Sequence, residues 1–288
     1  MRRILLQLDT SEPASAFDGI IAYDGGADVV LRYGGVRPHA VRELVHGAIF
    51  TRRPKDLHRT AIFIGGRQLA DGERVLAAVH DAFFGRMRVS VMLDSNGCNT
   101  TAAAAVGTIE HAVGSLDGRR AVVLGGFGPV GQRVCGLLVR AGASVVATSR
   151  SEAPEDRLHA LRARFGSRVE GAIVHDRASA DAALDGAAVI VNCGAAGVAM
   201  LAEDQWAGRP GVLAVADLNA VPPAGVAGVE AGDHGTERHG VRVFGALGIG
   251  GTKVALHRAC IGRLFERSDL VLDVESMADE ARALVSGP

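Results

Sequence analysis

The sequence predicts an α/β protein of two αβ domains with parallel sheets and a cleft between them, and three observations carry that expectation. Short runs rich in Val, Ile and Leu alternate with longer stretches of helical period, the pattern of repeated βα units. The chain has 288 residues, 48% of them hydrophobic and 22% charged, which suits a folded globular protein and, at roughly 150 residues per domain, two domains. Glycine occupies 38 positions without a three-residue period, so it serves turns and loops rather than a fibre.

The expected strands are RILLQL at 3–8, TAIFI at 60–64, RVSVML at 88–93, AVVLG at 121–125, SVVAT at 144–148, AVIVN at 188–192 and VLAVADL at 212–218. Between them, Leu69 to Phe84 places Leu69, Val75, Leu76, Val79 and Phe83 close to one helical face, and Val254 to Phe265 does the same with Ile261, Leu264 and Phe265. Thr100 to Val113 is alanine-rich and helix-forming, and GSLDGRR at 114–120 breaks it before the next strand. The expected boundary lies near 115, giving domains 1–115 and 116–288. A last helix at about 273–285 either belongs to the second domain or packs back on the first. EAPED at 152–156 reads as a solvated loop.

Thirty-one Lys plus Arg face thirty-two Asp plus Glu, a net charge of −1, so no basic surplus points to nucleic acid or an anionic membrane. The aromatic content, Trp 1, Tyr 2 and Phe 9, is too low for a base-stacking platform. Cys98, Cys135, Cys193 and Cys260 are far apart and form no CxxC pair, so neither a disulfide framework nor a bound metal is expected. MRRILLQLDTSE turns polar too early for a secretion signal, and no run reaches the ~20 apolar residues of a membrane span. A cytoplasmic protein is expected.

AVVLGGFGPVGQRV at 121–134 carries the most specific signal. A buried strand runs into Gly126, Gly128 and Gly131 at GxGxxG spacing and then into a helix, and SVVAT completes a βαβ unit. In such a Rossmann-type unit the first glycine allows the tight turn, the second lets backbone approach a pyrophosphate, and the third lets the helix pack on the strand. Phe127, Pro129 and Val130 lie within the same turn, at the helix N-terminus that faces the anion. After the second strand stand Ser149 and Arg150 instead of an acidic residue, which favours a 2′-phosphate and hence NADP over NAD. Glu152 close by would instead suit NAD. NCGAAG at 192–197, with Gly194 and Ala195, and DLNAVPP at 217–223, with Asn219 near a nicotinamide amide, would complete the cofactor site.

Three polar clusters remain: FDGIIAYDGGADVV at 17–30, MLDSNGCNTTAAA at 92–104 and FGALGIGGTKVALHRA at 244–259. Each has a plain reading as turn punctuation, with Asn99 or Thr100 capping the alanine-rich helix. Together with the fingerprint, TAIFIGG, GERV, FFG, VADLNAVPPAGVAGV and CIGRLFE, they make the sequence resemble the NADP-dependent methylene-tetrahydromethanopterin dehydrogenases of methylotrophic bacteria, some of which accept methylene-tetrahydrofolate. The resemblance runs nearly end to end and weakens at 150–185.

What this resemblance implies is an oxidoreductase of one-carbon metabolism. It takes hydride from the carbon bridging two pterin nitrogens to NADP and leaves a methenyl cation. That carbon is already activated, so a water-poor site that holds donor and acceptor together suffices. Asp94 and Asp24 are the candidate stabilisers of the developing charge. Lys253, after the GIGGT loop, would position the pterin, whose edge Asp18, Ser95, Asn96, Asn99 and Thr101 would bind. A homo-oligomer is implied, with a trimer expected. Cyclohydrolase activity is not expected, because the related folate enzymes use a Tyr and a Lys four residues apart, whereas Tyr23 and Tyr33 are followed by Ala27 and Arg37. The alternatives are a methylene-tetrahydrofolate dehydrogenase without cyclohydrolase activity, a shikimate-type reductase, which would want a Lys and Asp pair where only Lys55 stands, and a nonenzymatic NADP-binding sensor. His111, His175, His234, His239 and His257 have no role in this reading.

Overall fold

The computed structural model describes residues 1–150 and 155–287; the expectations placed on Glu152 and on the start of EAPED lie outside the described residues. In chain order the elements are β1 (Ile4–Asp9), α1 (Ala16–Asp24), β2 (Val29–Tyr33), α2 (Pro38–Phe50), β3 (Thr60–Gly65), α3 (Leu69–Ala82), β4 (Ser90–Leu93) and α4 (Cys98–Val113). There follow β5 (Arg120–Leu124), α5 (Pro129–Arg140), β6 (Ser144–Ser149), α6 (Glu155–Phe165), β7 (Val169–Ile173), α7 (Arg177–Ala183) and β8 (Ala187–Asn192). The chain ends with β9 (Ala214–Asp217), β10 (His234–Arg238), β11 (Val241–Phe244), α8 (Ala246–Arg263), β12 (Val271–Leu272) and α9 (Val274–Ser286).

Two compact units divide this chain, Met1–Thr100 with Val254–Glu280, and Thr101–Lys253 with Ala281–Pro288. This differs from a single cut near 115, and the reason is a strand the sequence hides. Two-residue β12 pairs in parallel with β4, so the polypeptide returns to the first sheet after α8.

The first unit holds a five-stranded sheet in the order β12-β4-β3-β1-β2, parallel throughout. Its central strands β3 and β4 are buried along their whole length, which is why TAIFI and SVML read as unbroken apolar runs. Leu8, Ile62, Ile64 and Val91 pack against Val41, Val45 and Ile49 of α2 and Val75 and Val79 of α3. The second unit holds seven strands in the order β10-β11-β9-β8-β5-β6-β7, parallel except for β10, which runs antiparallel to β11. Besides β12, the sequence did not announce β2, β7, β10 and β11; β11 is a short interior strand, whereas β2, β7 and β10 lie at sheet edges and carry exposed residues. An edge strand with one wet side carries no continuous apolar signal. Among the described residues no helix is long and apolar enough to cross a membrane.

Two helices start earlier than expected. α4 begins at Cys98, and α8 begins at Ala246, so GIGGT is helix rather than a loop and Lys253 stands two turns inside α8. In the second unit Trp206 is fully buried, and its indole Nε1 donates to the Ala227 carbonyl at 2.9 Å. Replacing Trp206 with Phe leaves that carbonyl unsatisfied beside a void, and a loss of about 1–3 kcal/mol is expected in urea unfolding followed by circular dichroism. An unchanged midpoint would count against this packing.

Candidate functional site

In a parallel sheet every strand delivers its carboxyl end to the same edge, and ligands bind where the strand order reverses. The first sheet reverses between β1 and β3 and the second between β5 and β8. Some of the candidate residues of each unit collect at these two places.

In the first unit the carboxyl ends of β1, β3 and β4 are stitched together. Asp9 accepts from the Ser11 and Ser15 amides, both at 2.8 Å, and so folds the following loop back toward α1. Ser15 caps that helix, its hydroxyl accepting from the Asp18 amide at 3.3 Å. A Cβ built on Gly65 would lie 3.3 Å from Asp9 Oδ2 and 3.4 Å from Asp18 Oδ2, so both carboxylates stand over the end of β3. The Ser95 hydroxyl donates to the Gly65 carbonyl at 3.2 Å, the Asn96 amide donates to Gly66 at 2.6 Å, and Asn96 adopts a left-handed φ of 56°. Asparagine tolerates that conformation better than most residues. Asp18, Ser95 and Asn96 are therefore brought together.

Asp94 and Asp24 are placed differently from the sequence expectation. Asp94 is buried, with one oxygen accepting from the Asn99 and Thr100 amides at 2.9 and 3.0 Å and the other from the Thr100 hydroxyl at 2.6 Å. It is the cap of α4, the part assigned to Asn99 or Thr100, while Asn99 ties its own side chain to the Leu93 carbonyl at 2.7 Å. Asp24 ends α1, six residues and about 9 Å of helix beyond Asp18, and forms an ion pair with Arg258 at 2.9 Å. Thr101 follows in the first turn of α4, half-buried. One residue that the sequence left without a role is buried here: His257 of α8 packs its ring 5.3 Å from Phe63 and 6.3 Å from Phe17, next to Asp18. Its only sequence signal is its place one turn after Lys253.

In the second unit a cavity of about 850 Å³ opens at the ends of β5, β6 and β8, lined by Phe127, Gly128, Pro129, Ser149, Arg150, Gly194 and Ala195 from the expected set. The glycine roles shift by one position. Gly125, not Gly126, makes the tight turn with φ +66°, and a Cβ on it would meet Gly194 Cα at 2.8 Å. Gly126 is needed for contact, because a Cβ there would lie 2.7 Å from that of Ala147 on β6. Gly131 fills the third role as expected, with no room for a Cβ against the Gly125 carbonyl. Val130 is half-buried in the first turn of α5 and does not line the cavity.

Arg157 and His175 also line the cavity beside Arg150, and none of its described lining residues is acidic. The Thr148 hydroxyl, at the same wall, is buried without a hydrogen-bond partner, a group that a bound ligand would satisfy. The volume, the Cβ-free turn and this orphan hydroxyl fit a nicotinamide dinucleotide. Half-buried Cys193 lines the cavity too; desolvation, with Cys135 and Asp217 nearby, pushes its thiol up and disfavours the thiolate.

Asn219 does not reach this cavity. It lines a separate pocket of about 190 Å³, and its side chain shapes its own loop by accepting from Val221 and donating to Pro223. The residues behind it matter more. Buried Asp217 accepts from the Asn192 side chain at 2.7 Å and from the amides of Asn219, Gly225 and Val226 at 3.0, 2.7 and 3.0 Å. Asn192 in turn accepts from the Gly194 amide at 3.0 Å. One carboxylate thus welds the loops after β8 and β9. Asp217→Asn puts an N–H against donors, and we expect a lower melting temperature and dinucleotide binding about tenfold weaker, roughly 1.4 kcal/mol, by calorimetric titration; unchanged binding would refute this role.

With the geometry in view, comparisons with known proteins place the chain. A family model described as methylene-tetrahydromethanopterin dehydrogenase, N-terminal, matches residues 16–96. The chain is 46% identical over 285 residues to the bifunctional protein MdtA of Methylorubrum extorquens, covering 98% of this chain and 99% of that one. It is 34% identical over 239 residues, 80% of each chain, to the NAD(P)-dependent methylenetetrahydromethanopterin dehydrogenase of the same organism. In fold it is similar to shikimate 5-dehydrogenase from Listeria monocytogenes, with a TM-score of 0.59 at 10% identity over 97% of this chain and 96% of that chain. The 46% identity over nearly the full chain and the 34% identity over 80% of it establish that the chain belongs to the methylene-tetrahydromethanopterin dehydrogenase family.

Proposed function

We propose that this protein is an NADP-dependent methylene-tetrahydromethanopterin dehydrogenase, taking hydride from the methylene carbon and leaving methenyl-tetrahydromethanopterin. The observation that carries the cofactor choice is the dinucleotide cavity with Arg150 and Arg157 on its wall and no described carboxylate. Arg150 at the end of β6 and Arg157 in the first turn of α6 suit a 2′-phosphate, which an acidic residue there would repel. When bound, the nicotinamide supplies the hydride acceptor.

The residues of this chain then have three tasks. Phe127, Gly128, Pro129, Gly194 and Ala195 hold the dinucleotide by close backbone approach, with Arg150 and Arg157 on the phosphate. Ser95 and Asn96, which stand with Asp18 at the carboxyl end of β3, bind and orient the pterin. Asp18 stabilises the amidinium charge that grows as the electron pair leaves with hydrogen, because its carboxylate stands over the carboxyl end of β3. Asp94, whose oxygens are taken up at the start of α4, acts as a positioning residue for the DSNGCNTT turn. No proton is transferred, so no general base is required. We place the protein in the cytoplasm as a homo-oligomer, with a trimer expected from light-scattering mass.

NADP reduction measured with methylene-tetrahydromethanopterin and methylene-tetrahydrofolate in parallel tests the reading, and faster turnover on the first is expected. Silence on both pterins while NADP binds would favour a sensor. Arg150→Ala should lower kcat/KM with NADP about 10- to 100-fold, roughly 1.4–2.8 kcal/mol, and leave the value with NAD nearly unchanged. Equal losses with both cofactors would remove Arg150 from the 2′-phosphate. Asp18→Asn should depress kcat with little change in melting temperature, whereas Asp94→Asn should lower both. The reverse pattern would return the charge-stabilising role to Asp94.

A further inference from the structure

A second cavity, of about 530 Å³, lies in the first unit between α2 and the face of β1 and β2. Its walls are Ile4, Leu6, Leu31, Tyr33, Leu44 and Ala48, and its size falls within the range of small-molecule sites. At one end stands Arg52, which donates from Nη2 to the Arg2 carbonyl at 3.0 Å. The other terminal nitrogen, Nη1, is buried without a hydrogen-bond partner. A buried guanidinium N–H lacking an acceptor is costly, and an anionic oxygen is what it is built to receive.

Gly47 supplies an independent observation. It sits inside α2 and lines the cavity, and a Cβ built on it meets nothing within 4 Å. Neither packing nor a left-handed φ requires glycine there, and glycine weakens a helix interior. Gly47 is exposed, so its missing side chain leaves the mouth of the cavity open to solvent. Glu43, on the same helix, also lines the cavity, so the anionic head belongs at the Arg52 end. That end lies beside Thr60 and Arg2, at the amino ends of β3 and β1. The site of Asp9, Asp18 and Ser95 occupies the opposite, carboxyl ends.

We infer that this cavity is a second binding site, for a soluble apolar molecule bearing one anionic head, with the body between α2 and β2 and the head on Arg52 Nη1. It is separate from the dinucleotide and pterin sites and does not depend on the proposed reaction.

Calorimetric titration of the full chain with decanoate and, in parallel, decanol tests it, with NADP saturating so that the dinucleotide cavity is filled. One decanoate per chain is expected. Arg52→Gln should weaken decanoate at least tenfold and leave decanol unaffected. Gly47→Leu should abolish binding of both while raising the melting temperature, since the new side chain fills open space. Both variants should keep the NADP-reducing activity of the parent. Decanoate binding indifferent to both substitutions would overturn the inference. So would a fall in molecular mass for Gly47→Leu by light scattering, which would assign the groove to a second copy of the chain.

Discussion

Three aspartates buried at the carboxyl ends of strands hold the functional loops, and the rest of the site depends on them. Asp9 closes β1, Asp94 follows β4 and Asp217 closes β9, each at most 2% exposed. A buried carboxylate is tolerated only when its lone pairs are met by donors. Here those donors are amide N–H groups of the loops that follow, with the Asn192 amide and the Thr100 hydroxyl added. The energetic demand of the buried charge thereby becomes a constraint on loop shape, and removing the charge releases several backbone groups at once.

This constraint suits the chemistry. Hydride transfer from a carbon between two nitrogens asks for little acid or base work and much positional precision, because the reacting carbons must be held in contact without water. A protein that spends its buried acids on fixing loops, and keeps one carboxylate over the end of β3, meets that demand. The parallel sheets add the second half of the arrangement. Each gathers its strand ends at one edge, and strand order reverses beside β1 and beside β5, where the proposed substrate and cofactor residues stand.

The two-domain α/β class, the central strands and the dinucleotide turn were legible in the sequence because buried parallel strands are continuous apolar runs and the glycine spacing sits directly after one of them. Edge strands β2, β7 and β10 were not, since their wet faces interrupt the pattern. The two-residue β12 is too short to carry any, and with it went the return of residues 254–280 to the first unit. Among the proposed site residues, composition and spacing point to Gly126, Gly131, Arg150 and the DSNGCNTT turn, but not to which acid does what. Asp94 and Asp18 look alike in sequence, and only the structure separates the buried cap of α4 from the half-buried carboxylate over Gly65. Gly125 was hidden by its neighbour, as GG leaves open which glycine turns. Arg157 lies in the first turn of α6 and His175 in the loop after β7, and nothing local marks them as facing this cavity.

The most direct measurement follows the transferred atom. Methylene-tetrahydromethanopterin carrying two deuterons on the bridging carbon, incubated with this protein and NADP, should yield NADPH one mass unit heavier, with no deuterium released to water. Appearance of the label in solvent, or NADPH of ordinary mass, would contradict direct hydride transfer and with it the role given to the two switch-point sites.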